Sequence, residues 1–251
     1  MSGQMAEAVT VEGADAPGRI ILVCEHAANL FPDSWGDLGL SPAQRQAHIS
    51  WDPGALGLAR ALASRLQATL VHATHSRLIY DLNRPPHAPT AMPAESEVHA
   101  IPGNRDLDPE ERARRTEALY LPFHAALTRL VAQRLARGRP PALITVHSFT
   151  PVFHGRARAV EFGVIHDADD RLAQAIMARP TGLATRLNEP YSATDGVTHT
   201  LALHATPFGL PHAMLELRSD LIADAAAQDA MAARIAPVLA AAVAEVAGEA
   251  C

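Results

Sequence analysis

Histidine and glutamate side chains occur at the ends of three apolar runs of the sequence. His26 follows "RIILVC", His147 follows "ALITV", and Glu216 lies within "MLELRSD". Neutral imidazoles and carboxylates brought together from separate loops are typical metal ligands. The sequence contains no HExxH motif and no cysteine cluster, so a structural role for these histidines is an equally open interpretation.

A catalytic zinc site normally has three protein ligands and one open position for water. Asp52, in "ISWDPGALG", and Glu25, beside His26, are the two candidates for the third ligand. Asp52 falls at the predicted start of a helix, where aspartate is a common capping residue. Neighbours such as Glu25 and His26 often point apart. Spacing alone therefore leaves the third ligand open.

Glu216 is unusual for a core strand, because a carboxylate between Leu215 and Leu217 is costly to bury without a partner. An ion pair with Arg218, two residues along on the same strand face, is the structural explanation. The functional explanation, which we favour, is a general base that takes a proton from water at a metal ion. No GxSxG motif surrounds Ser148, so a serine nucleophile is not expected.

The stretch "SRLIYDLNRPP" concentrates fixed polar groups before a double proline. An arginine fork meets a carboxylate with two hydrogen bonds, and an asparagine amide adds a donor. Arg77, Asn83 and Arg84 could therefore hold an anionic substrate and polarise a carbonyl. Alternatively, Asp81 pairs with one arginine while the other residues cap a turn. The residues themselves do not decide between these interpretations.

Apolar runs alternate with segments of helical periodicity. Strands are expected within residues 19–26, 68–83, 140–148, 159–167 and 212–222, and helices within 52–67, 108–138, 170–182 and 223–246. Asp108 and Gly138 are the expected cap and stop of the second helix. This alternation predicts an α/β sandwich with a mostly parallel sheet. Ligands of such sheets bind beyond the carboxyl ends of the strands, where the candidate residues lie.

Composition argues against a nucleic-acid-binding, membrane-spanning or disulfide-rich secreted protein. The 251 residues predict one domain over residues 19–251 after a loose segment at 1–18. A net charge of −6 does not favour nucleic acid, and no apolar run approaches the roughly 20 residues of a membrane span. Residues 1–18 lack the basic start and apolar middle of a secretory signal, so we expect a cytoplasmic protein. Two cysteines, Cys24 and Cys251, are too few for a disulfide framework.

Seven pieces of the sequence, in order, resemble the N-formylglutamate amidohydrolase family. They are "VCEHAANLFP", "WDPGA", "THSRLIYDLNRPP", "YLPFHAAL", "VHSFTP", "NEPYSATDGVTHTLALHA" and "GLPHAMLELRSDLI". The "DLNR" piece also resembles the aspartoacylase and succinylglutamate desuccinylase enzymes. The resemblance implies a three-layer zinc-carboxypeptidase, or phosphorylase/hydrolase-like, fold with a mixed central sheet. It also implies one zinc or similar divalent ion, a place in histidine breakdown, and hydrolysis of N-formyl-L-glutamate to formate and L-glutamate.

The resemblance assigns a role to each candidate residue. His26 and His147 become zinc ligands and Glu216 the general base; Asp52 is preferred over Glu25 as third ligand because "WD" resembles an aspartate-containing piece of the family. One departure is that the carboxypeptidase relatives have His-x-x-Glu, whereas the residue three after His26 is an asparagine.

The remaining assignments concern the substrate. Arg77 would polarise the scissile carbonyl and Asn83 and Arg84 would bind the substrate carboxylate. Further candidates for the pocket wall are Arg156, which could contact a glutamate side chain, His204 and Arg218. Hydrolysis of a different N-acyl acidic amino acid and a non-catalytic metabolite-binding role are the alternatives, and the oligomeric state is left open.

Overall fold

The structure, a computed structural model, describes residues 7–248. Its strands are β1 (Val9–Glu12), β2 (Ile20–Cys24), β3 (Thr69–Ala73), β4 (Glu95–Ser96), β5 (His99–Ala100), β6 (Ala142–Phe149), β7 (Val152–Phe153), β8 (Arg156–Ala157), β9 (Phe162–Ile165), β10 (Thr185–Leu187) and β11 (His212–Arg218). Its α-helices are α1 (Pro42–Gln46), α2 (Ala55–Leu66), α3 (Pro109–Arg115), α4 (Leu121–Ala136), α5 (Arg171–Met177), α6 (His199–His204) and α7 (Ala225–Val246).

Seven of the strands form one mixed sheet in the order β1-β3-β2-β6-β11-β9-β10. The four central strands, β3, β2, β6 and β11, are parallel to one another. β1 is antiparallel to β3 at one edge, and β9 is antiparallel to β11 near the other. The strands β4 and β5 form one small hairpin and β7 and β8 another.

Helices cover both faces of the sheet, as the three-layer prediction required. α2, α5 and α7 pack against one face in a single apolar cluster. α4 and α6, with the loops between β3 and α3, contribute to a second cluster on the opposite face. Every residue of β2 and of β6 is buried, which explains why β2 and the first part of β6 are apolar on both faces rather than alternating. The predicted fold class is confirmed.

The predicted helix at 108–138 is built in three parts. α3 leads through a π-helical turn (Thr116–Tyr120) into α4 without a break. Asp108 caps α3, because its carboxylate accepts a hydrogen bond of 2.7 Å from the backbone N–H of Glu111. Gly138, with φ +67°, follows the last turn; this left-handed conformation suits glycine because it has no Cβ.

One expectation about secondary structure was wrong. Residues 9–12, within the segment expected to be loose, form the edge strand β1, since Val9 and Val11 pack on the apolar cluster around α4 while the strand pairs with β3. Residues 68–83, where one or two strands and a loop were expected, form one strand, β3, and then a loop. The buried Cys24 is a free thiol, and Cys251 lies outside the described residues.

No helix within residues 7–248 is both long enough and apolar enough to cross a membrane.

Candidate active site

Adjacent parallel strands bring the candidate residues to one end of the sheet. β6 pairs with β11 so that His147 lies directly beside Glu216. On the other side of β6, β2 ends at Cys24 and is followed by Glu25 and His26. β6 continues to Phe149, so His147 lies in the strand rather than after it.

Asp52 is delivered to the same place by a tight turn before α2. Its backbone N–H donates to the carbonyl of His26 over 2.9 Å. Gly54, with φ +82°, is the N-cap residue of α2, and a Cβ at this position would lie 2.3 Å from the carbonyl oxygen of Ile222. Asp52 therefore does not cap the helix, and its carboxylate is directed into the site.

Three ligand atoms converge in this site. Asp52 Oδ2 lies 3.3 Å from His26 Nδ1 and 2.9 Å from His147 Nδ1, and the two Nδ1 atoms are 3.2 Å apart. All three residues are buried. Among residues 7–248, these three are the group of histidine, cysteine and acidic side chains that could hold a metal ion.

The other nitrogen of each imidazole has a carboxylate behind it. His26 Nε2 lies 2.7 Å from Asp81 Oδ1. His147 Nε2 lies 3.2 Å from Glu25 Oε2, at ion-pair distance although not aligned as a hydrogen bond. Ionised carboxylates only accept hydrogen bonds, so with a metal ion on Nδ1 each neutral ring would carry its proton on Nε2, facing the carboxylate behind it. Backing carboxylates of this kind are typical of metal-bound histidines.

The donor set fits a metal ion. With a proton on each Nε2, two Nδ1 lone pairs and one carboxylate oxygen would face one another, an arrangement that is repulsive unless a cation lies between them. Their separations of 2.9, 3.2 and 3.3 Å approach the roughly 3.3 Å expected between ligands of a tetrahedral zinc with bonds of about 2.0–2.1 Å. The residues present are thus suitable for a divalent ion with nitrogen and oxygen ligands.

The charges of the site favour a cation at this position. Burial alone would lower the pKa of His147, but the carboxylates of Glu25 and Asp52 outweigh it and raise that pKa well above its ordinary value. Burial alone would raise the pKa of Asp52, but His26 and His147 hold it below its usual range. The site therefore attracts positive charge, whether a proton or a metal ion.

Glu216 has no ion-pair partner within the described part of the chain, and its Oε2 has no hydrogen-bond partner there. Arg218, the partner considered from the sequence, instead contacts Asp220 over 2.8 Å and lies 3.7 Å from Glu161. Burial raises the pKa of Glu216 to about 7, with Asp52 adding to the effect and His147 opposing it. A carboxylate with this pKa can exchange a proton at neutral pH.

Arg77 is fixed beside the ligand group by two carboxylates. Its Nη2 donates to Asp81 Oδ2 over 2.6 Å and its Nη1 to Asp52 Oδ1 over 3.4 Å. Although burial would lower the pKa of Arg77, these carboxylates raise it above its ordinary value. Arg77 thus carries a permanent charge at the site.

Asn83 and Arg84 hold the loop before α6, part of which lines the cavity. The Asn83 amide donates to the carbonyl of Val197 and accepts a 3.0 Å bond from the N–H of Thr200. Arg84 donates to the carbonyls of Asn83 and Gly196. Both residues line the cavity. Much of the polarity of "DLNR" is therefore used to fix the chain at residues 196–200.

A cavity of about 400 Å³ opens onto these groups. Besides the residues already named, its wall includes His48, Ser96, Glu97, Ser148, Phe153, Tyr191 and Asp195. Ser148 donates through its hydroxyl to the carbonyl of Pro53 over 2.8 Å, so it is not placed as a nucleophile.

Three sequence-derived candidates are not part of the cavity wall. Arg156 is exposed in the β7–β8 hairpin. His204 is buried against His124, whose Nδ1 lies 2.8 Å from His204 Nε2; burial lowers the pKa of His204 to about 4. Arg218 contacts acidic residues outside the cavity. The structure leaves Arg156 exposed on its hairpin and buries His204 in the core, so it does not bring these side chains to the cavity.

Sequence reasoning missed the groups that orient the site. Asp81 was considered only as a partner for arginine, although it contacts both His26 and Arg77. Glu25 was considered as a ligand, but it lies behind His147. Tyr191, in the "NEPYS" piece, carried no spacing signal that would place it in the cavity.

Comparison with known proteins identifies the family. The model of the N-formylglutamate amidohydrolase family matches residues 18–223. The crystal structure of gene product Atu2144 from Agrobacterium tumefaciens is 50% identical, covers 96% of this chain and 97% of its own, and superposes with a TM-score of 0.94. The crystal structure of N-formylglutamate amidohydrolase from Ralstonia eutropha JMP134 covers 97% of this chain and 98% of its own, with a TM-score of 0.67. Its sequence is 18% identical, so this similarity is one of fold. No curated protein sequence matches. Because the family model covers most of the sequence, the chain belongs to the N-formylglutamate amidohydrolase family.

Proposed function

We propose that this protein uses one divalent metal ion, zinc in particular, to hydrolyse an N-acyl amino acid, with N-formyl-L-glutamate as substrate and formate and L-glutamate as products. The observation that carries the proposal is the convergence of His26 Nδ1, His147 Nδ1 and Asp52 Oδ2 beside a buried, unpaired Glu216. Three ligands leave a position open for water, and family membership supports amide hydrolysis.

A metal ion held by these three side chains would supply Lewis acidity, which makes water easier to deprotonate and stabilises negative charge on oxygen. Glu216 takes the proton of the attacking water, since its raised pKa lets the carboxylate accept and release a proton near neutral pH. The same carboxyl group then returns this proton to the leaving nitrogen. The oxygen of the water forms a bond to the formyl carbon, the C–N bond then breaks, formate leaves, and the amino group of the amino acid is formed.

Arg77 stabilises the oxygen of the scissile carbonyl as it becomes negative. Its guanidinium is held by Asp52 and Asp81 and does not need to reorganise during the reaction, which is the condition for effective electrostatic stabilisation. Asp81 also orients the His26 ring. One carboxylate thus fixes a ligand and the polarising group together.

Arg84 is the candidate for binding the substrate carboxylate. Its hydrogen bonds go to backbone carbonyls, and no acidic side chain among residues 7–248 forms an ion pair with it. Asn83, whose amide is engaged with backbone, places this arginine at the cavity. A guanidinium group without a carboxylate partner is suited to binding an anionic ligand.

The test is product release by the purified, metal-loaded protein from four substrates: N-formyl-L-glutamate, N-formyl-L-aspartate, N-acetyl-L-glutamate and N-formyl-L-leucine. We expect formate and glutamate in equal amounts from the first, with the highest kcat/KM of the series. Preference for the acetyl compound would contradict the formyl assignment, and preference for the leucine compound would contradict the acidic side chain. Failure to hydrolyse any of the four would contradict the proposed function.

A further inference from the structure

Tyr191 faces the cavity with its hydroxyl group held from behind by Arg158. Both Nη1 and Nη2 of Arg158 lie 3.2 Å from the phenolic oxygen of Tyr191. A guanidinium has only donors, so the tyrosine oxygen accepts both hydrogen bonds. The phenolic proton is therefore left to point elsewhere, and no acceptor for it is found within residues 7–248. The cavity is the space that this side chain lines.

Arg158 is itself fixed in a way that suits an orienting role. Its guanidinium carbon lies over the rings of Phe149 and Phe153, 5.4 and 4.4 Å from their centroids, and 5.2 Å from that of Tyr191. No carboxylate in the described chain pairs with it. The backbone is also anchored, because the N–H of Arg158 donates to the carbonyl of Pro151 over 2.8 Å. Stacking and backbone bonds thus hold the charge against one phenolic oxygen.

The segment that carries Tyr191 is tied down on both sides. Before it, the N–H of Asn188 donates to the carbonyl of Val164 over 2.9 Å. After it, the carbonyl of Val197 accepts from the Asn83 amide. These bonds fix the backbone on either side of Tyr191, and the two bonds from Arg158 hold its phenolic oxygen, the preorganisation that a hydrogen-bond donor to a transition state requires.

We propose that Tyr191 is a further catalytic residue, which donates its phenolic hydrogen bond to the substrate oxygen that becomes negative during amide hydrolysis, and that Arg158 is the positioning residue that orients it. The proposal rests on the proposed function. Tyr191 lines the same cavity as Glu216 and Arg77. Burial and Glu216 raise the pKa of Tyr191 although Arg158 opposes them, so the phenol keeps its proton at neutral pH.

Steady-state kinetics of three variants test the proposal. Tyr191→Phe keeps the ring under Arg158 and removes only the hydroxyl, and we expect kcat to fall by about 100-fold with KM changed by less than about twofold, as for loss of one oxyanion donor. Arg158→Met keeps an apolar stem and should lower kcat by about 10-fold. The double variant should be no slower than Tyr191→Phe, because Arg158 acts through the hydroxyl.

Tyr80→Phe is the matched control, because it removes a buried tyrosine hydroxyl outside the cavity and should leave kcat unchanged. Bound metal and thermal midpoint, measured on every variant, should stay at wild-type values. A wild-type kcat for Tyr191→Phe, or a raised KM with unchanged kcat, would overturn the proposal while leaving the proposed function intact. An additional loss in the double variant would overturn the role of Arg158. A wild-type protein that hydrolyses no N-formyl amino acid would overturn both the proposed function and this inference.

Discussion

Replacing Glu216 with glutamine removes the proposed base while retaining the shape of the side chain. Loss of a general base typically lowers kcat by 10²–10⁴-fold, and we expect a fall of at least about 100-fold. Because glutamine keeps the volume and the three ligand side chains are untouched, metal content should be unchanged. Turnover within a few-fold of wild type, with a full complement of metal, would refute the assignment.

The Glu216→Gln variant should also change how the free energy of unfolding depends on pH, and this can be measured without an activity assay. Burial raises the pKa of Glu216 from 4.5 to about 7, a shift that corresponds to about 3 kcal/mol. Between these pH values the folded state holds a proton that the unfolded state has released, so the stability of metal-free protein falls as the pH rises through this window. Glu216→Gln abolishes this fall. Urea unfolding of metal-free protein at pH 4.5 and pH 8 should show the wild type losing up to about 3 kcal/mol more than the variant.

Activity should depend on pH through the same carboxyl group. The carboxylate form is the active base and the pKa of Glu216 is about 7 without a metal ion, so kcat/KM of the metal-loaded wild type should rise with pH and level off at or below about pH 7. A metal ion nearby favours the ionised form and moves this limb to lower pH. Glu245→Gln is the matched control, because its carboxylate is 57% exposed and pairs with Arg179 at the surface. If Glu216→Gln kept the same rise of kcat/KM with pH as the wild type, Glu216 would not be the group that controls it.

Three further substitutions test other parts of the site. Asp81→Asn removes the carboxylate behind His26 and should weaken metal binding by about 10–100-fold in a chelator competition; unchanged affinity would contradict the orienting role. Asn83→Ala leaves the Val197 carbonyl and the Thr200 N–H without their side-chain partner, and should lower the free energy of unfolding by about 2 kcal/mol in urea, whereas an unchanged midpoint would show that the loop does not depend on it. Arg156→Ala should leave KM for N-formyl-L-glutamate unchanged, and a tenfold rise would place this arginine at the substrate after all.

Sequence patterns could indicate which strands carry the site but not which atoms meet. Parallel strands end at the same edge of a sheet, so runs ending near His26, His147 and Glu216 were enough to expect them together. The backing carboxylate of His26, Asp81, lies 55 positions away in sequence, on a loop whose path no periodicity encodes. The choice between Glu25 and Asp52 depended on side-chain direction, which the sequence leaves open for neighbouring residues.

Short elements and hairpins account for the other differences. β1 has only four residues and pairs with a neighbouring strand on one side. Its alternation of apolar and polar residues is too short to be recognised as a strand within a polar segment. In "GRAR" the two arginines are two positions apart, yet Arg156 is exposed whereas Arg158 stacks on Phe153. That difference depends on the fold of the β7–β8 hairpin and the loop after it. Local tertiary structure, rather than residue type, decides which of these side chains reaches the site.

The most direct test of the central claim is a metal titration of chelator-stripped protein with formate release measured on the same samples. Three ligand atoms at 2.9, 3.2 and 3.3 Å from one another define a single site, so turnover should rise linearly with added zinc and level off at one ion per chain. Asp52→Ala should require far more zinc to reach its own plateau. Full formate release by the stripped protein, or a plateau that Asp52→Ala leaves unmoved, would contradict the account.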